Sequence, residues 1–588
     1  MGPVRAPTRL AGWAIAIAGI AHVAILRAAG VVEPSTPPTL PQSVTTIVEL
    51  QPFRSTMSRP IEARDGRHGT ATLINLNPNV NAWFLLQLSW NNPDGNETYH
   101  LENGRPDVQA VTLGEGGVDL AIHTADQKIH CELWSGDAPS NLRHAQRSHL
   151  PYAPLCGDRL YLRNAVPGTF TTIERVTQFL RDHVWGGDRI VAFVREHAFN
   201  DAFAEYGQVT ATSREPAVTP QMPLIAQVRE TQRWIAVEPP DLGIDAGGPS
   251  DGFLLGRWYP VNGAPGFFIS VIRPGAVAEE LLSGYRSSVN SLDEVESRAL
   301  DYLVAMDLPQ FDLHFVMGTD HPRVGWSERT LQEVRDPNLP GPDGIGSAAP
   351  LVVNGMVSPT LLARTVATFA GGFKREHGAF RYGALARKNH GSHYGFIERG
   401  IVFSKLQPGL ATVVVRTDGL IDLKTWTVED DSSVERIQDA RQNGVALIDF
   451  DPKTRRSAPG SLVNLWGAGN WSGSVDSRLR TLRGGACLQE TATRRFLIFG
   501  YFSTATPSAM TRVFQAYGCR YAMQLDINAL EHTYFALYTH DGGRLVVQHL
   551  VEGMAEVDRK GGGNLAPRFL SFPDDRDFFY LLRRERPP

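Results

Sequence analysis

Glycine and proline punctuate this chain so densely, 56 and 39 times in 588 residues, that long uninterrupted helices have little room. Glycine breaks regular structure through its conformational freedom, and proline through its missing donor. Between the breaks lie short apolar or alternating runs that suit strands. GTATLINL (69–76), AWFLLQLSW (82–90) and VDLAIHT (118–124) are bounded by Asn, Pro, Asp and Gly. RLYLRNAV (159–166) continues the pattern and gives way to two helical stretches, 172–184 and 190–206. Residues 45–212 therefore read as a β-rich, sandwich-like domain with appended helices.

The rest of the chain divides by composition. Residues 213–250 are rich in Pro, Gly and Asp and read as a linker. Ordered patterns resume in 251–348, an α/β segment expected to pack on the last domain. It holds strand-like GFFISVI and FDLHFVM, and VESRALDYLVAM (295–306) reads as helical. A Gly/Pro loop then opens the final domain, 349–588. The fold class is α+β: a β-rich N-terminal domain followed by a C-terminal mixed α/β domain with a twisted sheet.

At the N-terminus, LAGWAIAIAGIAHVAIL (10–26) is apolar except for His22, with Arg5 and Arg9 before it. This predicts a retained signal-anchor helix, N-in and C-out, followed by a Pro-rich tether to residue 44. The chain would then be membrane-anchored and face the periplasm or the outside; the alternative is secretion after signal cleavage. A net charge of -5 with no basic run argues against nucleic-acid binding. Four cysteines show no zinc-site spacing, and export permits two disulfides in any of three connectivities, of which Cys131–Cys156 and Cys487–Cys519 is favoured, the alternative being four buried free thiols.

Three stretches of the last domain concentrate chemistry. FAGGFKREHGAFRYG (369–383) follows a helical LLARTVATF and carries Gly371 and Gly372 ahead of Lys374, His377 and Arg381; NHGSHYGF adds His390 and His393. ARQNGVALIDF sets Arg441, Gln442 and Asn443 before an apolar strand. In 506–538, Thr506 and Pro507 open a helix that Gly518 stops, and the strand RYAMQL delivers Asp526 and Asn528, with Glu531 and His532 next. An Asp at the end of an apolar strand is costly unless it is paired or ligated. The histidines and Asp526 are metal-ligand types, but no HExxH-like spacing links them. No cofactor is therefore expected, with a divalent metal as the variant.

The order FxGGF, QPGLATVVVRTDGLIDLKTW, RQN, an Arg-containing strand (RTLRGGACL) and a strand ending in Leu-Asp resembles the phosphodiester glycosidase (uncovering-enzyme-like) domain family, in a bacterial branch. The likeness covers residues from about 365 to the closing RFLSFPDDRDFFYLL. Two departures stand out. Ala370 replaces the Asn before the paired glycines, and Leu525-Asp526-Ile527-Asn528-Ala529-Leu530 replaces Leu-Asp-Gly-Gly-Gly-Ser. The resemblance implies a hydrolase of a glycosyl phosphodiester or related glycoside in the bacterial cell envelope, with a carbohydrate or glycosyl-phosphate substrate. Asp526 would be the carboxylate at the sugar, positioned by Asn528, while His532 or His393 would move protons. Lys374, Arg441 and Arg483, with Asn443 and the backbone of Gly371 and Gly372, would hold the phosphate. The alternatives are a non-catalytic envelope sugar- or polymer-binding protein on the same fold, and an anchored scaffold.

Overall fold

The computed structural model describes residues 46–62, 66–91, 95–134, 140–171, 201–210, 222–247, 252–378, 380, 383–388, 394–465, 478–561 and 564–584. The expected anchor and tether lie outside the described residues. So do the helical stretch 172–184 and most of 190–206. Strand exceeds helix, 40% against 15%, and the registers between named strands are antiparallel. The chain is a β-rich mixed fold, as the density of Gly and Pro suggests.

In the N-terminal part, Ser55–Glu62, His68–Asn75, Trp83–Trp90 and Glu97–Asn103 pair in chain order, and Leu160–Arg163 and Tyr152–Leu155 complete a six-stranded sheet. A three-stranded sheet, Ala110–Leu113, Asp119–His123 and Lys128–Glu132, shares a core with it. The strand Trp83–Trp90 serves two cores by alternation. Phe84, Leu86 and Leu88 point into this small core, whereas Trp83 and Leu85 join the main one.

The main core is framed by three sheets. In the eight-stranded sheet, Trp258–Pro260, Phe267–Ile272 and Asp301–Asp307 lie beside Arg495–Ala505, Thr481–Glu490, Cys519–Ile527, Ala446–Asp451 and Arg456–Pro459. The 251–348 segment thus contributes strands to the same sheet as the last domain. The helix read over 295–306 is real only at Glu294–Arg298, and Asp301–Asp307 is a strand buried at every position. A strand covered on both faces reads as a continuous apolar run, which periodicity cannot tell from a buried helix. LLARTVATF is corrected in the same way. Pro359–Arg364 is a short 3₁₀ turn, and Thr365–Ala370 is a strand held between Phe535–Asp541 and Phe578–Arg583. Its β-branched Thr365, Val366 and Thr368 suit that place. Phe311–Val316 and Arg544–His549 complete this five-stranded sheet. Another has the order Ile401–Ser404, Phe396–Glu398, Ile437–Gln442, Ala411–Arg416, Ile421–Thr425.

The helix Pro507–Ala516 forms where the sequence places it. Thr506 Oγ1 accepts the Ala509 N–H, and Gly518 ends it at φ +65°. Both expected disulfides are present, with Cα–Cα distances of 5.5 Å for Cys131–Cys156 and 5.9 Å for Cys487–Cys519. Two disulfides fit an oxidising extracellular or periplasmic compartment. Among the described residues, no helix is long and apolar enough to cross a membrane.

Candidate functional site

Four segments far apart in sequence meet where strands from all three sheets end. Residues 371–374 follow the strand Thr365–Ala370, and Arg441 and Gln442 end Ile437–Gln442. Asp526 and Ile527 end Cys519–Ile527. Residues 574–577 run into Phe578–Arg583, whose Phe578 pairs with Ala370.

The run Asp574-Asp575-Arg576-Asp577 is the hub, and each of its side chains binds a different segment. Asp574 takes both Arg568 Nε (2.7 Å) and Nη2 (2.8 Å). Asp575 Oδ2 lies 2.9 Å from Lys374 Nζ and 4.0 Å from Arg576 Nε. Arg576 Nη1 donates to Asp526 Oδ2 at 2.9 Å. Asp577 Oδ1 accepts from the Gly318 N–H (2.9 Å) and His321 Nδ1 (2.5 Å), while its Oδ2 accepts Arg441 Nε (3.2 Å) and Nη2 (3.0 Å). All four hub residues are buried. Burial alone would raise Asp577, but the bonds from His321 and Arg441 outweigh it and hold the carboxyl below its ordinary value.

A row of alternating charges results: Asp320, Lys374, Asp575, Arg576, Asp526. Lys374 Nζ donates to Asp320 Oδ2 at 2.7 Å, and Asp320 is lowered because Lys374 and Arg323 overcome its burial. Asp526 is only 4% exposed, and its Oδ1 accepts the Ile527 N–H at 2.8 Å. His532 closes the row. Its Nδ1 lies 2.7 Å from the Ile527 carbonyl, which can only accept, so Nδ1 carries the proton. Its Nε2 then accepts from Arg576 Nη2 at 2.6 Å. In this arrangement the ring is neutral and orients Arg576.

The other residues expected at the site fall into two groups. Asn443 and the paired glycines join the network as scaffold. Asn443 Oδ1 accepts the Phe373 N–H at 3.0 Å, and its Nδ2 donates to the Gln524 and Leu525 carbonyls at 2.7 and 2.8 Å. The Gly371 N–H donates to the Asp577 carbonyl at 2.8 Å. Gly372 has φ +132°, and a Cβ there would come within 2.6 Å of Arg441 Nη1, so glycine is required. Asn528 keeps a left-handed φ of +82° directly after the Asp526 strand, with its Oδ1 bound by Thr481 Oγ1 at 2.9 Å. Asparagine is among the few non-glycine residues that tolerate this left-handed conformation.

Arg441 and Arg483 are both 0% exposed and face protein acceptors. Besides Asp577, Arg441 donates through Nη1 to the Gln442 carbonyl (2.8 Å) and Asn443 Oδ1 (3.0 Å), and through Nη2 to the Phe373 carbonyl (2.5 Å). Arg483 donates to the Ala505 carbonyl (2.6 Å), Gln524 Oε1 (2.9 Å) and the Leu479 carbonyl (2.9 Å). Burial lowers its guanidinium to about 9, so it remains a cation at neutral pH. These two arginines tie strands together, and the cation paired with Asp526 is Arg576, which the neutral His532 ring orients. His393, His390 and Arg381 lie outside the described residues.

Sequence reasoning assigned no role to Arg576, Asp575 or Asp577. The available signal was four charged residues directly before the apolar FFYLL, a position that demands buried partners. Among the described residues, no group of three or more His, Cys, Asp or Glu could hold a metal ion.

No protein-family model matches the chain, and no curated protein matches it. Among solved structures, a crystal structure of a hypothetical protein from Synechocystis is similar over 85% of this chain and 97% of its own, at 9% identity and a TM-score of 0.27.

Proposed function

We propose that the chain is a hydrolase of a glycosyl phosphodiester or a related glycoside in the bacterial cell envelope. The observation that carries this reading is the ion-paired Asp526 at a strand end, joined through Arg576 to His532 on one side and through Asp575 to Lys374 on the other. A phosphate leaving group is weakly basic, so its departure needs charge stabilisation more than a strong acid. Lys374 and Arg576 supply positive charge within one row. Asp526 supplies the carboxylate that stabilises positive charge developing at the sugar, or attacks the anomeric carbon as the C–O bond to phosphate breaks, water then cleaving the glycosyl ester to free the sugar and the carboxylate. His532 holds the Arg576 guanidinium, and Gly372 with Asn443 holds the loop that carries Lys374.

A second reading rests on the same pair. Arg576 already neutralises Asp526, which suits a pocket that binds a sugar or polymer without turnover. The two readings part in one experiment. The full chain is incubated with a panel of sugar-1-phosphodiesters, with and without divalent ions, beside the Asp526→Asn variant. Release of free sugar that the variant lacks supports the hydrolase. Saturable binding without release supports the binding protein. A variant with full activity refutes the role given to Asp526.

A further inference from the structure

The family-like motifs all lie after residue 365, yet the site also contains a piece of the N-terminal half. Residues 168–171, which leave the β-rich domain, run beside 573–575. The Thr169 N–H donates to the Pro573 carbonyl at 3.0 Å, and Thr169 and Asp574 form a parallel bridge. Arg559 Nη2 fastens Thr169 Oγ1 at 2.7 Å. The approach is close, since a Cβ on Gly168 would meet the Asp575 nitrogen at 2.9 Å. From there Phe170 and Thr171 reach opposite parts of the site. The Phe170 ring faces Lys374 Nζ, 5.5 Å from the ring centroid, and Thr171 Oγ1 donates to Glu531 Oε1 at 3.4 Å, next to His532.

Lys374 has three ammonium hydrogens and two carboxylate partners, Asp320 and Asp575. Among the described residues these are its two hydrogen-bond acceptors, and the Phe170 ring lies within cation–π reach of the same Nζ. Phe170 is half-buried. A cation with a spare donor beside a half-buried aromatic residue is a composite subsite. The donor suits an anionic oxygen, and the ring suits the apolar C–H face of a sugar.

We propose that Phe170 is a specificity-determining residue of this site, stacking on the glycosyl ring of a sugar phosphate whose phosphoryl oxygen is taken by Lys374. The inference rests on the glycosyl-phosphate reading and adds to it that the N-terminal half of the chain completes the site. The substrate is then selected by a wall outside the C-terminal domain.

The test uses calorimetric titration of the full chain with three hexose 1-phosphates (glucose, mannose and N-acetylglucosamine) and with inorganic phosphate. Phe170→Ala should weaken the best hexose 1-phosphate by about tenfold, the scale of one lost aromatic contact, and leave inorganic phosphate unchanged. Phe170→Trp should retain sugar binding within about twofold, which guards against a folding defect in the alanine variant. Lys374→Met should weaken both ligands. Equal hexose-phosphate affinity in wild type and Phe170→Ala overturns the proposal, as does a wild type that binds inorganic phosphate as tightly as every sugar phosphate. In both cases the hydrolase reading stands if a diester is cleaved. If the wild type binds none of the sugar phosphates and cleaves no diester, both fall.

Discussion

Replacing Asp577 with asparagine should be among the most damaging isosteric changes in this protein. The carboxylate is 2% exposed and receives four hydrogen bonds: the Gly318 N–H and His321 Nδ1 on one oxygen, Arg441 Nε and Nη2 on the other. His321 Nε2 in turn accepts the Arg375 N–H at 2.8 Å, so its Nδ1 must be the donor toward Asp577. An asparagine of the same shape keeps one oxygen but turns an NH₂ toward groups that are themselves donors. Arg441, 0% exposed, then keeps its charge without the compensating carboxylate. Losing one partner of a buried pair costs about 3–5 kcal/mol. The assay is urea unfolding of the full chain, followed by tryptophan fluorescence and by circular dichroism, so that two probes test for a single transition. Arg441→Met made in the Asp577→Asn background should cost less than in wild type, with a coupling above about 1 kcal/mol. The pH dependence has a definite sign. Asp577 is held below its ordinary value, so its stabilisation is complete above the unfolded carboxyl value, about 3.9, and is lost as pH falls through the folded value. The gap between wild type and variant should therefore be flat from pH 7 to about 4 and shrink below that. A variant that loses less than about 1 kcal/mol at pH 7, or a gap that does not shrink in acid, refutes the reasoning.

Two further tests address other parts of the fold. Removing the disulfide with Cys487→Ala and Cys519→Ala should cost about 3–4 kcal/mol by chain entropy for a separation of 32 residues, read as a shift in the urea midpoint. That bond joins the strands carrying Arg483 and Asp526, so sugar release by the proposed hydrolase should fall with it at elevated temperature. Glu205, raised by burial to about 7 and accepting the Tyr302 hydroxyl, is a buried acid that folding makes harder to ionise. Its stabilisation is complete below the unfolded value, about 4.5, and is lost as pH rises through about 7, by up to about 3 kcal/mol. Glu205→Gln should flatten the stability profile in that window, and an unchanged profile would remove the assignment.

What could be read from the sequence is what depends on near neighbours. The Thr506 cap, the Gly518 stop and the short strands follow from residues a few positions apart, and the two disulfides close within 25 and 32 residues. Asp526 could be singled out because a carboxylate after RYAMQL has to be satisfied by something. What satisfies it could not be read, since Arg576 lies 50 residues on and the Arg441–Asp577 and His321–Asp577 contacts span 136 and 256 residues. The same gap explains Arg441 and Arg483. Their residue type suits a phosphate, but type does not reveal burial, and a guanidinium with five donors ties strand ends together as readily as it binds a ligand. Asp301–Asp307 was misread for a related reason, because a strand sandwiched by partners has no polar face to mark its period. The Thr171–Glu531 contact, 360 residues apart, extends the argument to the edge of the site. Charge pairs and walls of this kind are set by which sheets end at one place, and that depends on the whole topology of the chain rather than on any single motif.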